Sequence, residues 1–454
     1  MIKSINPTTE EEIKSYSEMG KEEINRIIIN ADKSFEKWKR TDFSQRADNM
    51  RAAGEALRKK KEILSILMTV EMGKPIIQSR SEIDKCALVC DYFAKNAERF
   101  LQDEKVVTDA INSFITYQPL GVILAIMPWN FPFWQVFRFA APNLMAGNAG
   151  VLKHSSNVTG CGLAIEDIFR EAGFPENLFR TLVVPSKDVN EIIRHDKIKA
   201  VTLTGSTVAG RSVAGIAGSV LKKSVLELGG SDPYIILEDA DLDKAAETCV
   251  NSRLINSGQS CIAAKRFIVV NQVYRKFEEL FVEKMRSKIM GDPRKEETNV
   301  GPQARDDLRE DLHKQVMKSV KYGAKVLIGG NIPKDKGAFY PPTILSNIKP
   351  EMPAYKEELF GPVASLIKAK DEKDAIRIAN DTIFGLGAAV FTQNSARGER
   401  IAREELNAGN CFVNDFVKSD PRLPFGGVKE SGYGRELSVL GIKEFVNIKT
   451  VYRK

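Results

Sequence analysis

"KAVTLTGSTVAGRS", residues 199–212, is a β-branched apolar run that meets Gly205 and Ser206 and continues through small residues. The run reads as a buried strand and the Gly-Ser pair as a tight turn. The residues after the turn read as a helix whose free first-turn N–H groups can receive an anion such as phosphate. Working outward, "GVILAIMP" (121–128), "AGVLKH" (149–154) and "RTLVVP" (180–185) repeat the short apolar run, with helical stretches of roughly ten to twenty residues between them. That rhythm is the mark of βαβ units and a parallel sheet. A second region with the same rhythm runs from "KRFIVV" (265–270) through "AKVLIGG" and "PVASLIKA" to "GLGAAVFT" and "AGNCFVN" (408–414). The expectation is therefore α/β, with two Rossmann-like parallel-sheet lobes.

The flanks fill in the rest. Ile24, Ile27, Ile28, Ala31, Phe35 and Trp38 recur at three- and four-residue steps, which predicts an amphipathic helix over 22–40. A second helix is expected from Ser44, as its cap, to Gly73, as its stop. The β-prone segments 108–121 and 445–454 lie far apart in sequence, and both suit a small appendage outside the lobes.

Composition narrows the function classes. A chain of 454 residues exceeds one ordinary core. It contains no run of ~20 apolar residues of the kind a membrane span needs. The opening "MIKSINPTTEEE" lacks a secretory pattern, so a cytoplasmic location with reduced thiols is expected. The net charge of +7 comes from 67 cations scattered among 60 anions, and "RKKK" (58–61) reads as a solvated helix face, so neither nucleic acid nor membrane is an expected partner. Six cysteines without a C-x-x-C pair and only three histidines argue against a metal site and a disulfide framework. Cys86 and Cys90, one helical turn apart, read as a buried structural pair.

Four stretches carry possible chemistry. The turn at 205–212 is G-x-x-x-x-G, so the dinucleotide fingerprint G-x-G-x-x-G is absent. It nearly matches a nucleoside triphosphate loop, but Arg211 stands where that loop needs lysine, which keeps a triphosphatase as a distant rival. In "SVLELGGSDP" (224–233), Glu227 ends an apolar strand before Gly229 and Gly230; burial would raise its pKa into the range of a general base, while a salt-bridged structural glutamate is the alternative. In "SGQSCIAAKR" (257–266), Cys261 has small neighbours that leave room for an electrophilic carbon, although cysteine is commonly just a small buried hydrophobe. In "PWNFPFWQVFRFAAPNLMAGN" (128–148), Asn130, Trp134 and Arg138 recur at four-residue steps, expected along one helix face. Asn130 can hold an oxyanion. Arg138 needs an anionic partner, from a ligand or from an internal carboxylate.

Taken in order, "PWNFP", "GSTVAG", "LELGGSDP", "GQSC", "EELFGPV" (357–363) and "PFGGVKESGYGRE" (424–436) resemble the NAD(P)-dependent aldehyde dehydrogenase superfamily across nearly the whole chain, and within it the bacterial succinate-semialdehyde dehydrogenases. The resemblance implies that Cys261 attacks an aldehyde, that Asn130 and the Cys261 N–H hold the oxyanion, and that Glu227 activates the hydrolytic water. It assigns Trp129, Lys153, Ser156, Gly205, Ser206, Leu228, Glu358 and Phe360 to cofactor binding. Trp134, Arg138, Ser260 and Ser419 are assigned to the substrate, with Arg422 a weaker candidate. In NAD-preferring relatives a glutamate commonly stands at the position of Ser156, where it would repel a 2′-phosphate, so NADP is expected to be preferred over NAD. The expected domains are residues 1–105 with 120–228 for the cofactor and 229–439 for catalysis. Residues 106–119 with 440–454 would form an oligomerisation arm serving a homodimer or homotetramer. Glutarate semialdehyde is the alternative substrate.

Overall fold

A computed structural model describes residues 1–454. Its first sheet has six strands in the order 432–433, 223–227, 198–204, 122–127, 149–154, 179–181, all parallel except the two-residue edge strand Gly432–Tyr433. The chain builds outward from 122–127 through 149–154 to 179–181. It then returns to lay 198–204 on the other side of 122–127. The loops after Met127 and Thr204 therefore diverge at the point where strand order reverses, the place where doubly wound sheets bind ligands.

The second sheet has seven strands in the order 325–328, 343–346, 363–369, 266–270, 233–236, 387–391, 410–413, parallel except for the first pair. A three-stranded antiparallel sheet joins Val446–Arg453 to Asn112–Pro119 and then to Glu104–Lys105. The outer edge of Val446–Arg453 pairs with nothing in the chain.

The N-terminal helices belong with the first sheet, because Ile28, Trp38, Leu57 and Phe93 share one continuous core with Leu124, Val151 and Val201. The amphipathic segment forms a helix over Lys21–Trp38 that buries the six apolar residues named above. The helix expected with Ser44 as its cap starts two residues earlier and breaks midway. Asp42 is its cap, accepting from the Gln45 N–H at 2.7 Å, and the helix Phe43–Lys59 gives way at Lys60 to a second one, Lys61–Met72. Gly73 ends that second helix at φ +79°, as the sequence suggested.

A larger difference concerns "PWNFP". The helix begins only at Trp134, so Asn130 lies in the loop ahead of it rather than on its face. Pro128 and Pro132 disfavour helical backbone at the residues before them. The helix start has no side-chain cap of its own. The buried carboxylate of Glu82 supplies one, its Oε1 accepting from the N–H groups of Phe133 (2.9 Å) and Trp134 (3.0 Å), while Lys74, equally buried, pairs with it.

Candidate active site

Cys261 comes from the second lobe, yet its side chain packs in the core of the first, 8% exposed. Its loop is held in an uncommon backbone shape. Asn256, Ser257 and Gly258 are consecutive left-handed residues, at φ 51°, 55° and 76°. For Asn256 and Ser257 that shape is unfavourable on its own, and side-chain bonds fix it. Asn256 Nδ2 donates to the carbonyls of Asn130 (2.6 Å) and Gln259 (3.1 Å), Ser257 Oγ accepts from the Gly301 N–H, and Gln259 Oε1 accepts from the Ala304 N–H. Gly258 must be glycine here, since a Cβ would stand 2.2 Å from the backbone of Gly361. The "FGP" segment is thereby locked against the cysteine loop.

Glu227 ends strand 223–227 and faces the Cys261 thiol. Burial pushes both groups up: the thiol rises well above its ordinary value, helped by the neighbouring carboxylate, and Glu227 rises against the opposing pull of Arg138. Arg138 reaches two carboxylates, Glu436 through Nε at 2.7 Å and Glu227 through Nη2 at 3.3 Å. Burial, offset in part by Arg138, places Glu436 at about 7. One guanidinium cannot fully compensate two buried anions, so the trio holds a proton near neutral pH. The internal-carboxylate reading of Arg138 is thus what the structure displays, with Nη1 left free of any protein acceptor. Glu436 was not singled out from sequence; only its place at the end of "GYGRE" could have flagged it.

Asn130 is 4% exposed, and its Nδ2 donates to the Gln259 carbonyl at 3.1 Å, which turns the amide toward the cysteine loop. The Cys261 N–H donates to no protein group. Lys265 is a second residue missed from sequence. Its ammonium holds the Ser260 and Cys261 carbonyls at 2.7 and 2.6 Å and pairs with Glu358 at 3.2 Å, fastening the nucleophile loop from behind. Glu358 also accepts from the Gly230 N–H at 3.0 Å. Ser260 is buried in the same loop. No histidine contacts the thiol: His154 bonds the Met127 and Pro132 carbonyls, His195 bonds Asn25, and His313 bonds Tyr340. Glu227 is the base within reach.

The remaining expected residues line the switch point. Ser206 caps helix Thr207–Ser219, its Oγ accepting from the Ala209 N–H, so its hydroxyl is partly occupied while the Thr207 and Val208 amides stay free. A Cβ at Gly205 would meet only the Leu203 side chain, at 3.9 Å, and Leu228 packs against Gly210 behind the turn. Trp129 and Phe360 meet edge to face at 5.7 Å between centroids, one from each lobe. Arg211 is taken up by Glu430 at 2.5 Å, which leaves no cation in the loop for a triphosphate. Lys153 is next to last in strand 149–154, 6% exposed, with only Ser186 Oγ at 3.5 Å; burial lowers its pKa. Ser156 opens the short turn after it. A buried cation with a hydroxyl but no carboxylate suits an incoming anion, so this end fits a nucleotide carrying an extra phosphate. Trp134 and Ser419 meet at 3.1 Å, Nε1 to Oγ, and Arg422 is exposed and chelated by Asp420.

A model of the aldehyde dehydrogenase family matches residues 1–451. The chain belongs to that family. Among its relatives, succinate semialdehyde dehydrogenase [NAD(P)+] Sad of Escherichia coli is 45% identical over 450 residues, covering 99% of this aldehyde dehydrogenase and 97% of the relative. Succinate-semialdehyde dehydrogenase [NADP(+)] of Mycobacterium avium is 47% identical over 455 residues, covering 99% and 96%. Among solved structures, succinic semialdehyde dehydrogenase from Streptococcus pyogenes in complex with NADP+ superposes with a TM-score of 0.97 at 36% identity, covering 100% of this chain and 99% of that one.

Proposed function

We propose that this aldehyde dehydrogenase oxidises succinic semialdehyde to succinate with NADP preferred over NAD. The observation that carries the reading is the meeting of Cys261, Glu227 and Asn130, drawn from two lobes, with a nucleotide-shaped switch point beside them. Similarity to relatives named for this substrate and cofactor supports the choice among aldehydes.

In the mechanism, the Cys261 proton passes to the adjacent Glu227 carboxylate as sulfur attacks the aldehyde carbon. The developing oxyanion lies against Asn130 Nδ2 and the Cys261 N–H, donors already fixed by Asn256, Gln259 and Lys265. Bound NADP would supply the hydride acceptor. Trp129, Lys153, Ser156, Gly205, Ser206, Leu228, Glu358 and Phe360 would hold it, Lys153 and Ser156 at the 2′-phosphate. For the second half, Glu227 first gives the proton it took from Cys261 to solvent and then takes one from water, whose oxygen adds to the thioester carbon; the C–S bond breaks, the Cys261 thiolate takes the proton back from Glu227, and succinate is released as its new carboxyl group ionises. Arg138 stabilises ionised Glu227, and its free Nη1, with Ser260 and Ser419, is available to substrate.

The same proposal assigns residues 1–105 with 120–228 to cofactor binding, 229–439 to catalysis, and 106–119 with 440–454 to oligomerisation, where the unpaired edge of Val446–Arg453 suits a homodimer or homotetramer. A cytoplasmic setting accords with the reduced cysteines the chemistry needs. The test is NADPH absorbance with an aldehyde panel and both cofactors. The proposal expects the highest kcat/KM with succinic semialdehyde and NADP, and equal rates with an uncharged aldehyde of like length would overturn the substrate.

A further inference from the structure

Helix Ile76–Phe100 carries Glu82, the cap of the Trp134 helix, and one residue-triplet later Lys85. Lys85 lies over the Trp134 ring, Nζ 4.2 Å from its centroid, and donates to Ser419 Oγ at 2.8 Å. Ser419 Oγ also accepts from Trp134 Nε1 at 3.1 Å. No carboxylate stands within ion-pair distance of Lys85. Asp420, the anion nearest in sequence to Ser419, is gripped by Arg422 through both of its oxygens, at 2.8 and 2.6 Å.

Counting donors shows what is missing. An ammonium has three N–H groups and Lys85 uses one on Ser419, while Ser419 Oγ accepts twice and keeps its own hydrogen to give. Lys85 and Ser419 thus keep neighbouring donors for which the protein supplies no acceptor. Lys85 is half-buried, and drawing a cation out of water without an anion is costly; Arg138, one turn along the helix from Trp134, repels it further. Trp134, which carries Lys85 over its ring, and Arg138 stand about 6 Å apart along the helix axis, comparable with the length of a short ω-carboxyaldehyde. Arg138 marks the reacting end, because it touches Glu227 beside Cys261.

We propose that Lys85, with the hydroxyl of Ser419, binds the distal carboxylate of the aldehyde substrate and sets its specificity. This rests on the semialdehyde reading given above. Arg138, already committed to Glu227 and Glu436, serves chiefly to hold the charge of the reacting end. Lys85 is the cation that lacks an anion until substrate arrives.

The test compares wild type, Lys85→Met and Lys85→Arg on succinic semialdehyde and on pentanal, reading the ratio of their kcat/KM values. Lys85→Met is expected to lower that ratio by about tenfold to a hundredfold, the worth of one charge-assisted bond, mostly through KM. Lys85→Arg should recover part of it. Inhibition by succinate should weaken in parallel in Lys85→Met, a binding readout independent of turnover. A ratio unchanged in Lys85→Met, or both aldehydes losing the same factor, overturns the role of Lys85 while leaving the semialdehyde reading intact. A wild type that does not favour the semialdehyde over pentanal overturns both.

Discussion

Three lysines, two buried and one half-buried, frame the site and are treated in opposite ways. Lys265, behind the nucleophile, is saturated by the Ser260 and Cys261 carbonyls and by Glu358. Lys85, at the far end, has one hydroxyl and an aromatic face, and Lys153, at the nucleotide end, has one distant hydroxyl. A buried charge whose bonds are complete fixes the protein's own backbone. One whose bonds are incomplete is a place for something else's anion.

The largest effect should come from breaking the saturated end at its centre. Cys261→Ser keeps shape but replaces a polarisable sulfur with a poorly ionised hydroxyl, and kcat is expected to fall about a thousandfold or more in NADPH formation while unfolding midpoints barely move. Next, Glu82→Gln strands the buried Lys74 ammonium. It should lower stability by about 3 kcal/mol in denaturant unfolding, with kcat little changed because the Gln amide oxygen can still accept from the Phe133 and Trp134 N–H groups. The double variant Lys74→Met, Glu82→Leu should regain part of that stability and lower kcat, since the Phe133 and Trp134 N–H groups then lose their acceptor and the loop bearing Asn130 loses its anchor.

Smaller changes sharpen the unsaturated ends. Ser156→Glu places an anion beside Lys153, and the preference for NADP over NAD in kcat/KM should fall about tenfold or more. Least of all, pH should tune Lys85. Burial and then Arg138 on the facing helix lower its pKa to about 8, against the weaker attraction of Glu82 and Cys86 on its own helix and of Asp420 on the adjoining loop. Its cation is present below that value and lost above it. KM for succinic semialdehyde should therefore rise severalfold as pH passes through about 8, while KM for pentanal stays flat. Equal slopes would remove Lys85 from substrate binding.

How much of this was legible in the sequence depends on how local the signals are. The strands 122–127, 149–154 and 198–204 and the turn at Gly205 announce themselves by apolar runs and a glycine, and the motif order names the family. The early start at Phe43 and the late start at Trp134 depend on Asp42 and on Glu82, the latter more than fifty positions from the helix it caps. Glu436, Lys265 and Lys85 are ordinary charges in sequence. Their meaning lies in which partners the fold brings to them or withholds, and that is a property of assembled lobes rather than of any stretch of residues.

The central claim is that sulfur 261 becomes acylated and that Glu227 frees it. Rapid mixing of Glu227→Gln with NADP and succinic semialdehyde, followed by acid quench and peptide mass mapping, addresses it directly. The account predicts slow formation, since Gln at 227 cannot take the Cys261 proton, of no more than one NADPH per subunit before turnover stalls, with a succinyl adduct on the peptide containing Cys261. Sustained NADPH production at the wild-type rate with Cys261 unmodified would contradict it.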